Sequence, residues 1–285
     1  LHRKNEQELE REDFMNGIEL IEALHSGRRI YGTLLTSSSP LWFNVVEELN
    51  LDCIFLDTEH NTMDWHELGW MCRAYTAIGV APIVRIPKAD AFDACRVFDA
   101  GATGIVAAYV ETPEQVNQLR SAAKLRPLKG KKLARILSGE SSLEGEMADY
   151  VPKRNQGHAL LVNIESVPAI EALDEILAVP GLDGVLIGPH DLSCNLGVPE
   201  QYDHPLFDKA MLKIIGKARA KNIGVGVHNL PRIEQDIRYA KAGLNLILRL
   251  IDRTLFRRAL HEDLNKLRQA LGDDGPAKDL GEDVA

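Results

Sequence analysis

The chain has 285 residues, 45% of them hydrophobic and 26% charged, with a net charge of −9. Such a composition supports a sizeable soluble core and argues against a basic nucleic-acid surface. The four cysteines, Cys53, Cys72, Cys95 and Cys194, form no CxxC pair, which argues against a structural zinc site or a disulfide framework and suits a reducing, cytoplasmic setting. They read as small buried apolar side chains.

In chain order, residues 1–15 are a heavily charged arm, "LHRKNEQELERED" and its continuation, with no recognisable secretory signal. Short β-branched, apolar runs then recur: "IYGTLL" (30–35), "DCIFLD" (52–57), "APIVRI" (81–86), "TGIVAAY" (103–109), "HALLVNIE" (158–165), "DGVLIG" (183–188), "IGVGVH" (223–228) and "LNLILRL" (244–250). Each is followed by a segment of helical periodicity, such as "WHELGWMCRAYTAI" or "PRIEQDIRYAKA". Eight strand–helix pairs predict an α/β protein, a closed (β/α)8 TIM barrel over residues 16–271. No GxGxxG follows the first strand, so a dinucleotide-binding fold is not indicated. The widest gap between strands, 126–157, is expected to form a lid or helical excursion that shapes a substrate pocket. Residues 272–285 read as an acidic, flexible tail. No apolar run approaches the ~20 residues of a membrane-spanning helix.

A (β/α)8 barrel carries its chemistry at the carboxyl ends of its strands. Those ends supply Asp57, Glu59 and His60, then Arg85, Asn163 with Glu165, "IGPHDLS" with His190 and Asp191, then His228, and finally Arg249 with Asp252. Glu165 and Asp191 come from adjacent strands, and two carboxylates with open positions suit a Mg2+ or Mn2+ ion that keeps several waters. Such an ion holds a 2-oxo acid and stabilises its enolate, Arg85 adds positive charge, and His60 handles the proton. Blander readings stand beside these. Glu165 or Asp191 could merely cap the following helix, and Arg85 could be tied up in an ion pair with Asp57. No strand end offers the lysine that Schiff-base aldol chemistry requires.

The motifs "FLDTEH", "VRIP", "FDAGATG", "VNIES" and "PGLDGVLIGPHDLS" occur in the order seen in the HpcH/HpaI family of pyruvate-dependent class II aldolases, which the chain resembles from about Arg29 to Leu260. The resemblance implies a barrel of the phosphoenolpyruvate/pyruvate-binding type with its last helix swapped between subunits, in a dimer-based or hexameric homo-oligomer. It implies a carbon–carbon lyase that cleaves a 4-hydroxy-2-oxo acid to pyruvate and an aldehyde through a metal-bound pyruvate enolate. The ion would be Mg2+, with Mn2+ or Co2+ as alternatives, on Glu165 and Asp191. His60 would be the base with Asp99 as its dyad partner, Arg85 would stabilise the enolate, and Asp57 would organise the surroundings. The backbone of Gly188, Pro189, His190 and Asp191 would receive the pyruvate carboxylate. Asn163 stands where the family often has Gln, Tyr109 enters where it has an "IPMV"-like stretch, and "PLKGKK" replaces "PxGxRG". These departures concern the acceptor. The alternatives are oxaloacetate decarboxylation with enolate transfer, as in the related macrophomate synthase, a CoA-thioester lyase, and a non-catalytic 2-oxo-acid-binding barrel.

Overall fold

The computed structural model describes residues 14–273, so most of the expected arm and tail lies outside the described residues. Eight parallel strands close into a barrel in sequence order: β1 (Ile30–Leu35), β2 (Cys53–Asp57), β3 (Ala81–Ile86), β4 (Gly104–Ala107), β5 (Ala159–Asn163), β6 (Gly184–Ile187), β7 (Gly224–His228) and β8 (Leu246–Ile251). The (β/α)8 expectation holds, and every strand lies within two residues of its predicted limits at each end.

Among the described residues thirteen helices accompany them: α1 (Gly17–Ser26), α2 (Leu41–Glu48), α3 (Trp65–Ala77), α4 (Ala91–Ala100), α5 (Pro113–Lys124), α6 (Gly130–Leu137), α7 (Glu146–Asn155), α8 (Val167–Glu171), α9 (Leu173–Ile176), α10 (Pro189–Asn195), α11 (Pro205–Ala220), α12 (Ile233–Lys241) and α13 (Asp252–Leu271). Their starts are written locally. Asn16 and Asp64 each accept two backbone N–H groups while a Glu three residues on accepts the N–H of the cap, and Thr112 accepts the N–H of Gln115, whose side chain accepts that of Thr112 in return.

Strand alternation sorts the apolar residues into two cores. Phe55, Ile83, Val106, Leu161, Leu186 and Leu248 fill the barrel interior. Ile54, Leu56, Val84, Ile105, Val162 and Val185 face the helices. At the amino end, Leu20 and Leu24 of α1 join the interior cluster. Gly224 makes room for Leu24, since a Cβ there would lie 2.4 Å from Leu24 Cδ2. The amino end is thereby plugged, and the carboxyl end is left for chemistry.

Two expectations need correction. The 126–157 segment lies between α5 and β5, so it emerges at the amino end of the barrel, opposite the strand ends that carry the polar cluster. Of the two forms expected for it, a lid or a helical excursion, it takes the second. It folds as α6 and α7 over a small core of Leu125, Ile136 and Val151, packed with Leu128, Leu133, Leu137, Leu143 and Met147. The cysteines are also not uniformly buried: Cys53 and Cys72 are, whereas Cys95 is half-buried and Cys194 exposed, all as free thiols.

Helix α13 is unusual. Of its 20 residues only Asp252 and Thr254 are buried. Phe256, Leu260, Leu264, Leu267 and Leu271 form a stripe of exposed apolar side chains. Between β1, β8 and α12, Tyr31, Ile233, Ile237 and Ile247 line a hollow of about 360 Å3 on the outside of the barrel. Among the described residues no helix is long and apolar enough to cross a membrane.

Candidate active site

Asp57 and Arg85 are register partners at the ends of β2 and β3. Arg85 donates from Nε to Asp57 Oδ1 at 2.7 Å and from Nη2 to Oδ2 at 2.6 Å, a bidentate pair almost wholly out of solvent. Burial alone would raise the Asp57 carboxyl. The Arg85 guanidinium and the Glu59 N–H outweigh it and hold the group below the ordinary carboxylate range. Burial likewise opposes the Arg85 cation, and Asp57 and Glu59 more than restore it.

The same carboxylate shapes the loop that follows. Asp57 accepts the backbone N–H of Glu59 at 3.0 Å and of His60 at 3.3 Å, so a single side chain orients Arg85 and fixes the turn bearing His60. His60 stands on the rim with 62% of its side chain exposed, its Nε2 3.6 Å from Glu59 Oε2. Glu59 also lies 3.3 Å from Arg85 Nε. Burial raises the Glu59 carboxyl, with the charges of Asp57 and Asp191 adding to the rise.

Across the barrel mouth, Glu165 is 4% exposed. Its Oε1 accepts the Tyr109 N–H at 2.8 Å and its Oε2 accepts from Asn163 Nδ2 at 2.7 Å. Burial pushes the carboxyl up to about 6, and the nearby Asp191 charge adds to the rise. Gly188 leaves the space this carboxylate occupies, since a Cβ there would sit 2.1 Å from Oε2. Neither bland reading of the pair survives. Ser166 caps the helix after β5, and Gly188 is the cap of α10, where no side chain supplies a capping bond.

Two carboxylates of like charge, one deeply buried, with hard oxygen donors and an orphaned Asn163 Oδ1 beside them, fit a divalent cation that retains waters. Among the described residues no group of three or more His, Cys, Asp or Glu side chains converges as a complete cage.

The structure therefore gathers Asp57, His60, Arg85, Glu165 and the 188–191 turn at one end of the barrel. It does not bring Asp99 there. Asp99 lies near the end of α4, before β4, and so at the amino end. Its carboxylate is 3.0 Å from Arg126 Nη1 and 72% exposed. No His60–Asp99 dyad forms within the chain. Pro189 has no N–H, and the first intrahelical donor of α10 is Leu192 N, so the free amides of that turn are those of His190 and Asp191.

Sequence reasoning undervalued Glu59, which touches both Arg85 and His60. It also noticed His228 without assigning it. That imidazole is buried against the Phe55 ring, 5.3 Å between centroids, and burial together with the Arg85 charge lowers it to about 3. It is a neutral neighbour of the Phe55 ring over which Arg85 lies. Arg249 and Asp252 are structural: Arg249 pairs with Asp236 and caps the carbonyls of Leu230 and Pro231, while Asp252 holds Thr36 and Ser37.

Comparison with known proteins decides the family. Residues 31–248 match the family described as HpcH/HpaI aldolase/citrate lyase. The chain belongs to that family. Among relatives of this HpcH/HpaI member, the hydroxypyruvate/pyruvate aldolase of Sagittula stellata is 32% identical over 238 residues, which cover 83% of this chain and 92% of that protein. The HpcH/HpaI aldolase of Desulfitobacterium hafniense superposes with a TM-score of 0.75 at 25% identity, covering 93% of this chain and 99% of that one. Macrophomate synthase shares the fold, with a TM-score of 0.74 at 23% identity over 91% of each chain. The curated relatives are named aldolases, which are carbon–carbon lyases.

Proposed function

We propose that this HpcH/HpaI family member reversibly cleaves a 4-hydroxy-2-oxo acid to pyruvate and an aldehyde. The observation that carries the reading is the meeting, at one barrel mouth, of the Glu165–Asp191 carboxylate pair with an arginine whose orientation is fixed by Asp57. Glu165 and Asp191 would hold a divalent cation, Mg2+ before Mn2+ or Co2+, which when bound supplies Lewis-acid polarisation of the 2-oxo group.

The protein's own groups do the rest. The His190 and Asp191 amides receive the substrate carboxylate. His60, free to reach from the rim, takes the proton of the 4-hydroxyl. The C3–C4 bond breaks, its electron pair moves into the enolate of pyruvate, and the aldehyde leaves. Arg85 has Nε and Nη2 committed to Asp57, which leaves Nη1 outside that pair to stabilise the developing oxyanion. Because the cation is pre-oriented, little reorganisation is needed as charge develops. Protonation at C3 completes pyruvate, and aldol addition is the reverse. Asp57 acts through Arg85 and the His60 turn, as a positioning residue.

The test is deuterium exchange into the methyl group of pyruvate, read by NMR with Mg2+, Mn2+ or EDTA. Metal-dependent exchange that disappears in Glu165→Gln supports the reading. Folded protein that exchanges with no metal refutes it, and release of CO2 from oxaloacetate in the same samples would then favour decarboxylation with enolate transfer. The unburied stripe of α13 and the hollow beside β8 support a further part of the proposal, that α13 is exchanged between copies in a homo-oligomer. The free thiols suit a cytoplasmic setting.

A further inference from the structure

The Tyr109 side chain has no part in the steps above, yet its backbone is held in a conformation that favours glycine. Its φ is +53°, in the left-handed region that a side chain with a Cβ rarely adopts. What holds it there is the N–H bond to Glu165 Oε1 at 2.8 Å. In this geometry the side chain leaves the loop after β4 and reaches α10, which follows β6. It therefore spans the end of β5, where Glu165 sits. The phenol oxygen accepts a hydrogen bond from Asn195 Nδ2 at 3.4 Å, and the same amide donates to Asp191 O at 3.1 Å. One pair of side chains thus links the two loops flanking Glu165 to the turn that carries Asp191.

The pair also has unused capacity. With the phenol oxygen accepting, its O–H remains to donate, and Asn195 Oδ1 remains to accept. Tyr109 is 46% exposed and Asn195 is exposed as well, so both groups are open to solvent, and their bonds to Glu165 and to the Asp191 carbonyl keep them at the end of the barrel that carries the site. A donor and an acceptor beside an aromatic face complement an alcohol, which both donates and accepts. We propose that Tyr109 and Asn195 form the acceptor-recognition element of the site and select aldehydes that carry a hydroxyl next to the aldehyde carbon. The inference rests on the aldolase reading and specifies its substrate class.

The experiment compares pyruvate addition to glycolaldehyde and to propanal, which differ by hydroxyl against methyl. The wild type is expected to prefer glycolaldehyde. In Tyr109→Phe and in Asn195→Ala the ratio of kcat/KM for the two aldehydes falls about three- to ten-fold, mainly through the KM for glycolaldehyde, as expected for one neutral hydrogen bond. Tyr109→Gly keeps the N–H to Glu165 and suits φ +53°, so it removes the side chain without distorting the loop. It should lower the ratio as far as Tyr109→Phe does. Equal losses for both aldehydes, or an unchanged ratio in folded variants, overturn the proposal and leave Tyr109 a structural strap. Deuterium exchange into pyruvate by the wild type separates the two levels. Exchange with an unchanged ratio sinks only the acceptor assignment, and no exchange sinks the aldolase reading with it.

Discussion

Glu165→Gln is expected to make the metal-free protein more stable while abolishing its chemistry. Burial holds the Glu165 carboxyl at about 6 against an ordinary 4.5, so its ionised form is disfavoured in the fold. At about 1.36 kcal/mol per pKa unit, the difference amounts to about 2 kcal/mol at neutral pH. The sign follows from where the proton is held. Below about 4.5 the group is protonated in both folded and unfolded chains and costs nothing. As pH rises through the folded value near 6 the penalty becomes complete, and above it stays constant. Glutamine keeps the acceptor for the Tyr109 N–H, and a flip of the Asn163 amide turns its orphaned Oδ1 toward the new Nε2. Thermal unfolding followed by circular dichroism in EDTA should show the variant melting about 4–6 °C above wild type at pH 7.5. The gap should close as pH falls toward 4.5. Adding Mg2+ or Mn2+ should stabilise the wild type, by about 2.7 kcal/mol at a hundred times Kd, and leave the variant unmoved. A variant no more stable than wild type at pH 7.5, or a gap independent of pH, would refute the idea that this carboxylate is held ionised at a cost.

Other perturbations have equally definite outcomes. Asp57→Asn leaves a buried Arg85 with Glu59 as an anion at 3.3 Å, and should cost about 3 kcal/mol in urea unfolding, the low end for a broken buried pair. Because the folded Asp57 carboxyl lies below its ordinary value, that contribution is present above about pH 3.9 and disappears only as pH falls through the folded value. Arg85→Lys loses the two-point contact with Asp57 and should slow pyruvate deuterium exchange about 100- to 1000-fold, while circular dichroism shows the fold retained. Truncation after Thr254 removes the apolar stripe of α13 and should convert the protein to a monomer on size-exclusion chromatography with light scattering. An unchanged assembly would show that the stripe is not an interface.

The barrel was readable because each strand is a short apolar, β-branched run between helices of clear periodicity, and barrel topology then places every strand end on one side. Glu165, Asp191 and Arg85 followed from that rule. The same rule, applied fully, would have located Asp99 and the 126–157 segment. Asp99 is in the last turn of a helix and the segment lies between a helix and the strand that follows it, and chain in either position returns at the amino end. A motif matched in a line of sequence carries no such direction. Tyr109 was noticed as a departure, but its left-handed backbone has no compositional signal, because the cause is a carboxylate 56 residues away. Glu59 was ambiguous for a similar reason, since its two partners are a neighbour on the loop and an arginine on the next strand.

Helix α13 gives the chain a thermodynamic variable that most of the barrel lacks. The remaining elements bury their apolar faces against one another, so their contribution to folding is independent of how many chains share the solution. A 20-residue helix with two buried residues cannot be accounted for that way. Its five large apolar side chains leave water only against another surface, and any stabilisation gained there grows with the logarithm of chain concentration. Dilution should therefore lower the melting temperature, and the apparent robustness of the fold should depend on how abundantly the chain is made.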